Sequence, residues 1–307
     1  LGGKAVESIQ SSIEKILNNP VAQGITTGIK ALDDAIKGFH PGHVITIGAV
    51  SSMGKSSLMR SMALAAAKEV PVGIFPIEGG TFSTVEVMIY TLARVNYHKK
   101  GKLSKTEEQA IKAAKAELKK LKGIYVDEAA VSMYPSWLLE KGPKKDSIEQ
   151  SMQAMHKKGV RIFFIDYLQL VNWSFKIESE ALRIKELTGK LARISIDLQV
   201  PIILLSQLTK DVAKRNIVKG MDPTPEKTDI RDSGFIENDS FEILLLHRPE
   251  YYDKPKDLTL LTNCAEEAEI IVAKQRFGPT GKINVKFEPF CMRWSDINES
   301  SAKGTLF

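Results

Sequence analysis

Five short runs along this chain are apolar at nearly every position: Val44–Ile47, Val72–Ile77, Ile162–Ile165, Ile202–Leu205 and Ile243–Leu246. Strands buried on both faces of a parallel sheet look like this, because neither face meets water. Between and beside the runs lie segments of helical periodicity, over 55–68, 82–95, 104–121 and 178–199. The last carries Ile184, Leu187, Leu191, Ile194 and Leu198 at spacings of 3, 4, 3 and 4, a single buried stripe. Strand–helix alternation predicts a wound α/β sheet. Near the C-terminus, Glu269–Lys274 and Lys282–Phe287 flank Phe277-Gly278-Pro279-Thr280-Gly281, which predicts a β-hairpin with a Gly/Pro loop. At the other end, Val6, Ile9, Ile13 and Ile16 stripe a short helix over 4–17 that Asn18-Asn19-Pro20 stops. That stripe must be buried, on its own domain or on an adjacent subunit; the pattern alone favours its own domain.

Composition narrows the class. The chain has 307 residues, 43% hydrophobic and 26% charged, enough for one large globular α/β domain. Cys264 and Cys291 are the two cysteines and form no CxxC pair, and the five histidines are scattered, so a disulfide framework and a structural zinc site are not expected. No apolar run approaches the roughly 20 residues that span a membrane, and a cytoplasmic protein is expected. The chain begins at Leu1 and reads as a fragment or processed chain, so the lack of a leader says little. A net charge of +6 leans mildly towards a polyanionic partner. The lysine-rich stretch 99–122 reads more simply as a solvated helix face than as a nucleic-acid surface.

The strongest motif is Ala49-Val50-Ser51-Ser52-Met53-Gly54-Lys55-Ser56, which follows a strand and opens a helix, as a P-loop must. Ser51, Ser52, Met53, Gly54, Lys55, Ser56 and Ser57 would cradle phosphates through backbone N–H groups at the helix N-terminus. Lys55 would add a cation at the β- and γ-phosphates, and Ser56 a hydroxyl for magnesium. Ala49 stands where the first glycine is usual, with Gly48 one residue earlier. Asp166, ending the strand Ile162–Ile165, is placed to hold magnesium through water, since ligands of open α/β sheets sit at the carboxyl ends of strands. Glu78 follows another strand; it is either a carboxylate beside the γ-phosphate or a surface residue in a turn. Gln207, after Ile202–Leu205, is either a phosphate-sensing amide or a polar strand end. Lys274 and Arg276 could reach a neighbouring subunit's nucleotide, although exposed strand cations are the simpler reading.

In order along residues 24–295, these segments resemble the C-terminal domain of the DnaB family of replicative helicases. Gly24-Ile25-Thr26-Thr27-Gly28 to Leu32-Asp33 is similar to the family's opening segment. Ile165-Asp166-Tyr167-Leu168-Gln169-Leu170 resembles its Walker B signature, and Leu205-Ser206-Gln207-Leu208 its sensor. Ile230-Arg231-Asp232-Ser233-Gly234 with Ile236-Glu237-Asn238-Asp239 looks like the fourth motif. Ala273-Lys274-Gln275-Arg276 with Gly278-Pro279-Thr280-Gly281 resembles the arginine-finger hairpin.

The resemblance implies a RecA-like P-loop NTPase with a mostly parallel sheet flanked by helices. It implies Glu78 as catalytic base, Gln207 as γ-phosphate sensor, Lys274 and Arg276 acting in trans, and a homo-hexamer around single-stranded DNA. Two loops would face the channel, about 172–180 and about 210–234, the second carrying Lys210, Lys214, Arg215 and Lys219 for phosphate contacts. The aromatics of these loops are Trp173, Phe175 and Phe235, so backbone tracking should outweigh base stacking. Residues 1–23 become a linker that docks on the next subunit, 24–298 the motor, and 299–307 a tail. ATP and magnesium are the expected cofactors; a primase and a helicase loader are candidate partners. The family's N-terminal primase-interacting domain is not in this chain, and 132–158 and 253–267 read as divergent or extended, which suggests a phage, plasmid or other mobile element. A recombination or repair ATPase of the RecA type, a nucleotide-binding scaffold or loader, and a DNA-independent signalling ATPase ring are the alternatives.

Overall fold

The computed structural model describes residues 8–10, 13, 24–99, 101–175, 177, 179–209, 211–212, 215, 222–230, 233–251 and 265–298. Helix α1 (Lys30–Ile36) leads into β1 (Val44–Ala49), followed by α2 (Lys55–Ala66), β2 (Val72–Pro76), α3 (Gly80–Ala93), α4 (Lys105–Leu118) and β3 (Ile124–Val126). Next come β4 (Ser132–Met133), α5 (Ser136–Leu139), α6 (Ile148–Lys157), β5 (Ile162–Asp166), β6 (Asn172–Trp173), α7 (Glu180–Leu198) and β7 (Ile202–Gln207). The last third adds α8 (Ser233–Asp239), β8 (Glu242–His247), β9 (Glu266–Gln275), β10 (Gly281–Glu288) and β11 (Arg293–Asp296).

Nine strands form one sheet in the order β11-β10-β9-β8-β1-β7-β5-β2-β3. It is parallel from β3 to β8 and antiparallel from β8 through β11. The continuous apolar runs follow from this: all six residues of β1 are buried. Alternate side chains feed two cores. Ile45 and Ile47 pack with Leu58, Met59 and Met62 of α2 on one face. Phe163, Ile165, Ile202 and Leu204 pack with Leu187 and Leu191 of α7 on the other. The caps are local. Ser179 accepts the Leu182 N–H to start α7, and Ser104 with Glu107 forms a reciprocal capping box on α4.

The expected α/β sheet is present, with differences at its margins. The C-terminal hairpin is a three-stranded meander, because β11 pairs with β10 over Arg293–Asp296. The stretch 132–158 holds β4, which pairs with β6, and α6, which Ser147 caps and which buries Ile148, Met152 and Met155. Its apolar stripe is only three residues long, too short to stand out in the sequence. On the lysine-rich helix, Lys112, Lys115 and Lys119 are exposed while Ala114 is buried. Most of the helix expected over 4–17 lies outside the described residues; Ile9 and Ile13 are helical and exposed. Among the described residues no helix is long and apolar enough to cross a membrane.

The sheet tolerates no side chain at Gly73. A Cβ there would lie 2.5 Å from the Phe163 ring on the neighbouring strand and 3.1 Å from the Met155 sulfur. Gly73→Ala should therefore destabilise the fold by about 1–3 kcal/mol through overpacking. A chemical denaturation midpoint measures it; a midpoint equal to that of the parent contradicts the packing.

Candidate functional site

The parallel register brings four loop starts to one edge of the sheet. Ala49 lies opposite Gln207, and Pro76 lies opposite Asp166. The P-loop, Glu78, Asp166 and Gln207 therefore leave the carboxyl ends of β1, β2, β5 and β7 side by side, as expected of an open α/β sheet.

The P-loop is built in layers. The Met53 side chain is buried in the core, so this residue offers a phosphate only its backbone. Ser51 and Ser52 form the exposed rim, Ser56 is half-buried and Ser57 is buried. Gly54 has φ +95° and starts α2 without a side-chain cap. The first-turn N–H groups of a helix have no intrahelical partners, so an uncapped start faces its positive end to an anion. Ser52 also sits in the left-handed region, at φ +66°. For a residue other than glycine that conformation costs about 1–2 kcal/mol and needs support from its surroundings.

Support comes from residues that the sequence pattern did not single out. Arg248, just past β8, donates through Nη1 to the Ser52 carbonyl at 3.2 Å. Its Nε and Nη2 bind the buried Glu266 carboxylate at 3.0 and 2.5 Å. Burial pushes this guanidinium down to about 10. Trp294 on β11 donates from Nε1 to the Gly54 carbonyl at 3.1 Å. A Cβ at residue 54 would meet the Trp294 ring at 3.1 Å and Phe287 at 3.3 Å, so the indole packs directly behind the loop. The antiparallel meander thus braces the P-loop from the rear. An isolated Arg or Trp far along the chain gives no spacing signal of this.

In front of the loop, Lys55 extends to 4.8 Å from the Tyr167 ring centroid. Burial pushes its ammonium below the ordinary lysine value, and the carboxylates of Asp166 and Glu78 partly restore it. The same two carboxylates, after burial, push the Tyr167 phenol up. Glu78 donates its N–H to the Asp166 carbonyl at 3.3 Å, which fixes the two acids relative to each other. Asp166 is 5% exposed, and its Oδ1 is buried without a hydrogen-bond partner. A buried carboxylate oxygen left unpaired is costly unless a cation, a donor or a bound water meets it. Arg60, one turn into α2, is a further cation in the Asp166 field; burial pushes its pKa down and Asp166 offsets part of this.

The end of β7 is tied to the segment that follows β5. Gln169 donates to Ser206 Oγ at 3.0 Å and accepts from the Gln207 N–H at 3.3 Å. Magnesium fits this donor set. Asp166 and Ser56 are hard oxygen donors, and among the described residues no group of three or more His, Cys, Asp or Glu stands ready as a cage. Magnesium is commonly held by one or two protein oxygens together with phosphate and water, so such an ion would arrive with a nucleotide.

Lys274 and Arg276 lie elsewhere. Lys274 sits opposite Ile243 near the start of β8, and Ile243 pairs with Thr46 in the first half of β1. Both cations are therefore towards the amino-terminal end of β1, away from the chain's own P-loop. There they meet the C-terminal end of α8. Lys274 Nζ donates to the Glu237 carbonyl and, at 2.7 Å, to the Ser240 carbonyl. Arg276 Nη2 donates to the Asn238 carbonyl at 2.7 Å, and its guanidinium lies 5.4 Å from the Phe241 ring centroid. Burial pushes Lys274 down, and Arg276 adds to this.

Of the four candidate DNA contacts, Lys210, Lys214 and Lys219 lie outside the described residues. Arg215 is turned inward: it pairs with Asp229 at 2.5 Å and reaches the Thr224 carbonyl at 3.4 Å.

Known proteins are similar to this chain in sequence and in fold. A replicative DNA helicase DnaB from Buchnera aphidicola subsp. Baizongia pistaciae is 31% identical over 296 residues, covering 94% of this chain and 60% of the relative. The replicative DNA helicase DnaC of Bacillus subtilis is 31% identical over 270 residues, 86% of this chain and 54% of the relative. The chain thus spans roughly 60% of the length of such relatives. A solved ATPase domain superposes with a TM-score of 0.76 at 25% identity, covering 94% of this chain and 97% of that one. A DnaB-like replicative helicase shares the fold at a TM-score of 0.77 and 23% identity, over 96% of this chain and 68% of that one. The family described as DnaB-like helicase C terminal domain matches residues 24–296, and the chain belongs to it.

Proposed function

We propose that this chain is the ATP-hydrolysing motor of a ring-forming replicative DNA helicase, which translocates on single-stranded DNA and unwinds duplex. One observation carries this reading: Lys55, Glu78, Asp166 and Gln207 share one sheet edge, while Lys274 and Arg276 are held far from it on the same chain. A complete site then needs two copies.

Each residue has a task that its surroundings suit. The N–H groups of 51–57 and the Lys55 ammonium hold the nucleotide phosphates. Asp166 and Ser56 hold magnesium, which neutralises phosphate charge when bound. Glu78, fixed on the Asp166 carbonyl, accepts a proton from water in line with the γ-phosphate. Gln207, gripped by Gln169, registers whether that phosphate is present. Arg276 of the adjacent copy supplies the remaining positive charge, so hydrolysis is coupled to ring geometry. The exposed Ile9 and Ile13 favour docking of the 1–23 segment on a neighbouring copy, the reverse of the preference drawn from its pattern alone. A homo-hexamer is the proposed assembly. A primase is a proposed partner, in keeping with a structural relative described together with its interactions with primase; a helicase loader is another.

The test is steady-state ATP hydrolysis with and without single-stranded DNA, together with unwinding of a forked duplex. Stimulated turnover with unwinding is expected. Filaments and strand exchange without unwinding would point to a recombination ATPase, and nucleotide binding without turnover to a scaffold or loader. Trp294→Phe should keep the fold but lose the donor to the Gly54 carbonyl, weakening nucleotide binding by roughly 3–10-fold, the worth of one hydrogen bond. Titration with a fluorescent nucleotide measures this, and an unchanged Kd removes Trp294 from the brace.

A further inference from the structure

We propose that Trp137 and Phe175 form a stacking platform for the bases of single-stranded DNA, with Lys141 and Lys145 meeting the adjoining phosphates. This deepens the helicase reading and rests on it. The two rings come from segments far apart in sequence and meet edge to face, with centroids 5.7 Å apart and planes at 85°. They are nevertheless 48% and 54% exposed. Large aromatic side chains are normally drawn inward, so a contiguous exposed pair marks a surface that binds something.

The platform is anchored. Tyr134 donates its hydroxyl to Asp146 at 2.7 Å and closes the 134–146 loop. Lys190 of α7 pairs with Glu149 at 2.7 Å and also donates to the Tyr134 carbonyl. On the other side, the Ser174 N–H binds the Met133 carbonyl at 3.0 Å, which joins the Phe175 segment to β4. Trp137, on α5, and Phe175, just past β6, therefore flank the braced β4–β6 pair, and Phe175 belongs to the first of the two loops proposed to line the channel.

The chemistry favours nucleic acid. Lys141 Nζ lies 4.9 Å from the Trp137 ring centroid, and the 134–146 loop also carries Lys144 and Lys145. Of its two acids, Glu140 and Asp146, the latter is engaged by Tyr134. An edge-to-face contact occupies one ring face and an ammonium another, which leaves two of the four faces for stacking. An aromatic face with a cation beside it suits bases joined by phosphates, whatever the sequence, whereas burial against a second protein would strip water from the Lys141 ammonium. No spacing in the sequence joins these residues: base stacking was expected to be secondary because the channel loops hold few aromatics, and Trp137 lies outside them.

The experiment measures binding of a fluorescent oligothymidylate to the full chain by anisotropy, in the presence of a non-hydrolysable ATP analogue, across a salt series. Combined Trp137→Ala and Phe175→Ala should weaken binding roughly 5–100-fold, as loss of stacking does. Trp137→Phe should stay close to the parent, and Lys141→Gln should lower the slope of log K against log salt by about one. Sizing of each variant runs alongside. If the alanine pair binds as tightly as the parent, the platform is wrong while the helicase reading stands. If the pair loses DNA only because rings no longer assemble, the surface is a subunit interface and the proposal is overturned. If the parent itself binds no single-stranded DNA, the helicase reading fails and this inference fails with it.

Discussion

Arg276→Ala is expected to bind ATP as tightly as the parent and to lose turnover by a thousandfold or more, the usual cost of removing an arginine finger. Its place in the sheet is the reason. Arg276 follows β9 beyond the level of Glu242, at the start of β8, whereas the P-loop leaves the far end of β1. With strands rising about 3.3 Å per residue, its own phosphate site is out of reach. Among the described residues, its guanidinium meets the Asn238 carbonyl and the Phe241 face. Both contacts are with groups at the end of α8 that carry no charge to neutralise it, so the cation remains available to an anion on another copy. Lys274 is different. It binds two carbonyls at the end of α8 and is partly desolvated, so Lys274→Ala should also loosen that helix. Kd for a fluorescent nucleotide and kcat, measured on the same preparation, separate the effects; normal turnover by Arg276→Ala would remove it from the site.

Glu78→Gln should also retain nucleotide and reduce kcat, by roughly a hundredfold to ten-thousandfold, the range for a lost general base. The substitution keeps size and shape. The backbone bond from residue 78 to the Asp166 carbonyl does not involve the side chain, so the loop should stay in place. The neighbouring Lys55 loses one of the two carboxylates that hold its proton, so its pKa should fall further. Binding through Lys55 would then decline at alkaline pH earlier than in the parent, since the folded pKa is already lowered and charge is lost as pH rises through it. A pH series of nucleotide Kd on parent and variant reads this. Parent-like kcat in the variant would mean that another group handles the proton.

Much of the site was legible because strands and chemistry coincide in the sequence. A strand buried on both faces announces itself as an apolar run, and its first polar residue marks the carboxyl end where ligands sit. That logic placed Asp166, Glu78 and Gln207 at the carboxyl ends of their strands, where the register sets them side by side, but it left Glu78 and Gln207 open between a site residue and a polar strand end, and only the family resemblance chose; strand–turn–helix order pointed to Lys55. It could not find Arg248 or Trp294. Each reaches the P-loop through a sheet pairing nearly two hundred residues or more away in sequence, and β11 is a four-residue strand with no alternation to betray it. Nor could it find the Trp137–Phe175 pair, which depends on the two-residue β4–β6 pairing. Arg215 shows a different gap: its pairing with Asp229 within the chain is not visible in the basic loop's sequence.

The measurement that bears most directly on a shared, two-copy site is a mixing experiment. Lys55→Ala removes the phosphate side of a site and Arg276→Ala the finger side, so each variant alone should hydrolyse little ATP. Mixed one to one and allowed to exchange, about a quarter of the junctions in a cyclic ring pair an intact P-loop with an intact finger. Turnover should then rise well above that of either variant, to about a quarter of the parent if sites act independently. No recovery, in rings shown to contain both subunits, would contradict the trans site and return Arg276 to a structural role at the end of α8.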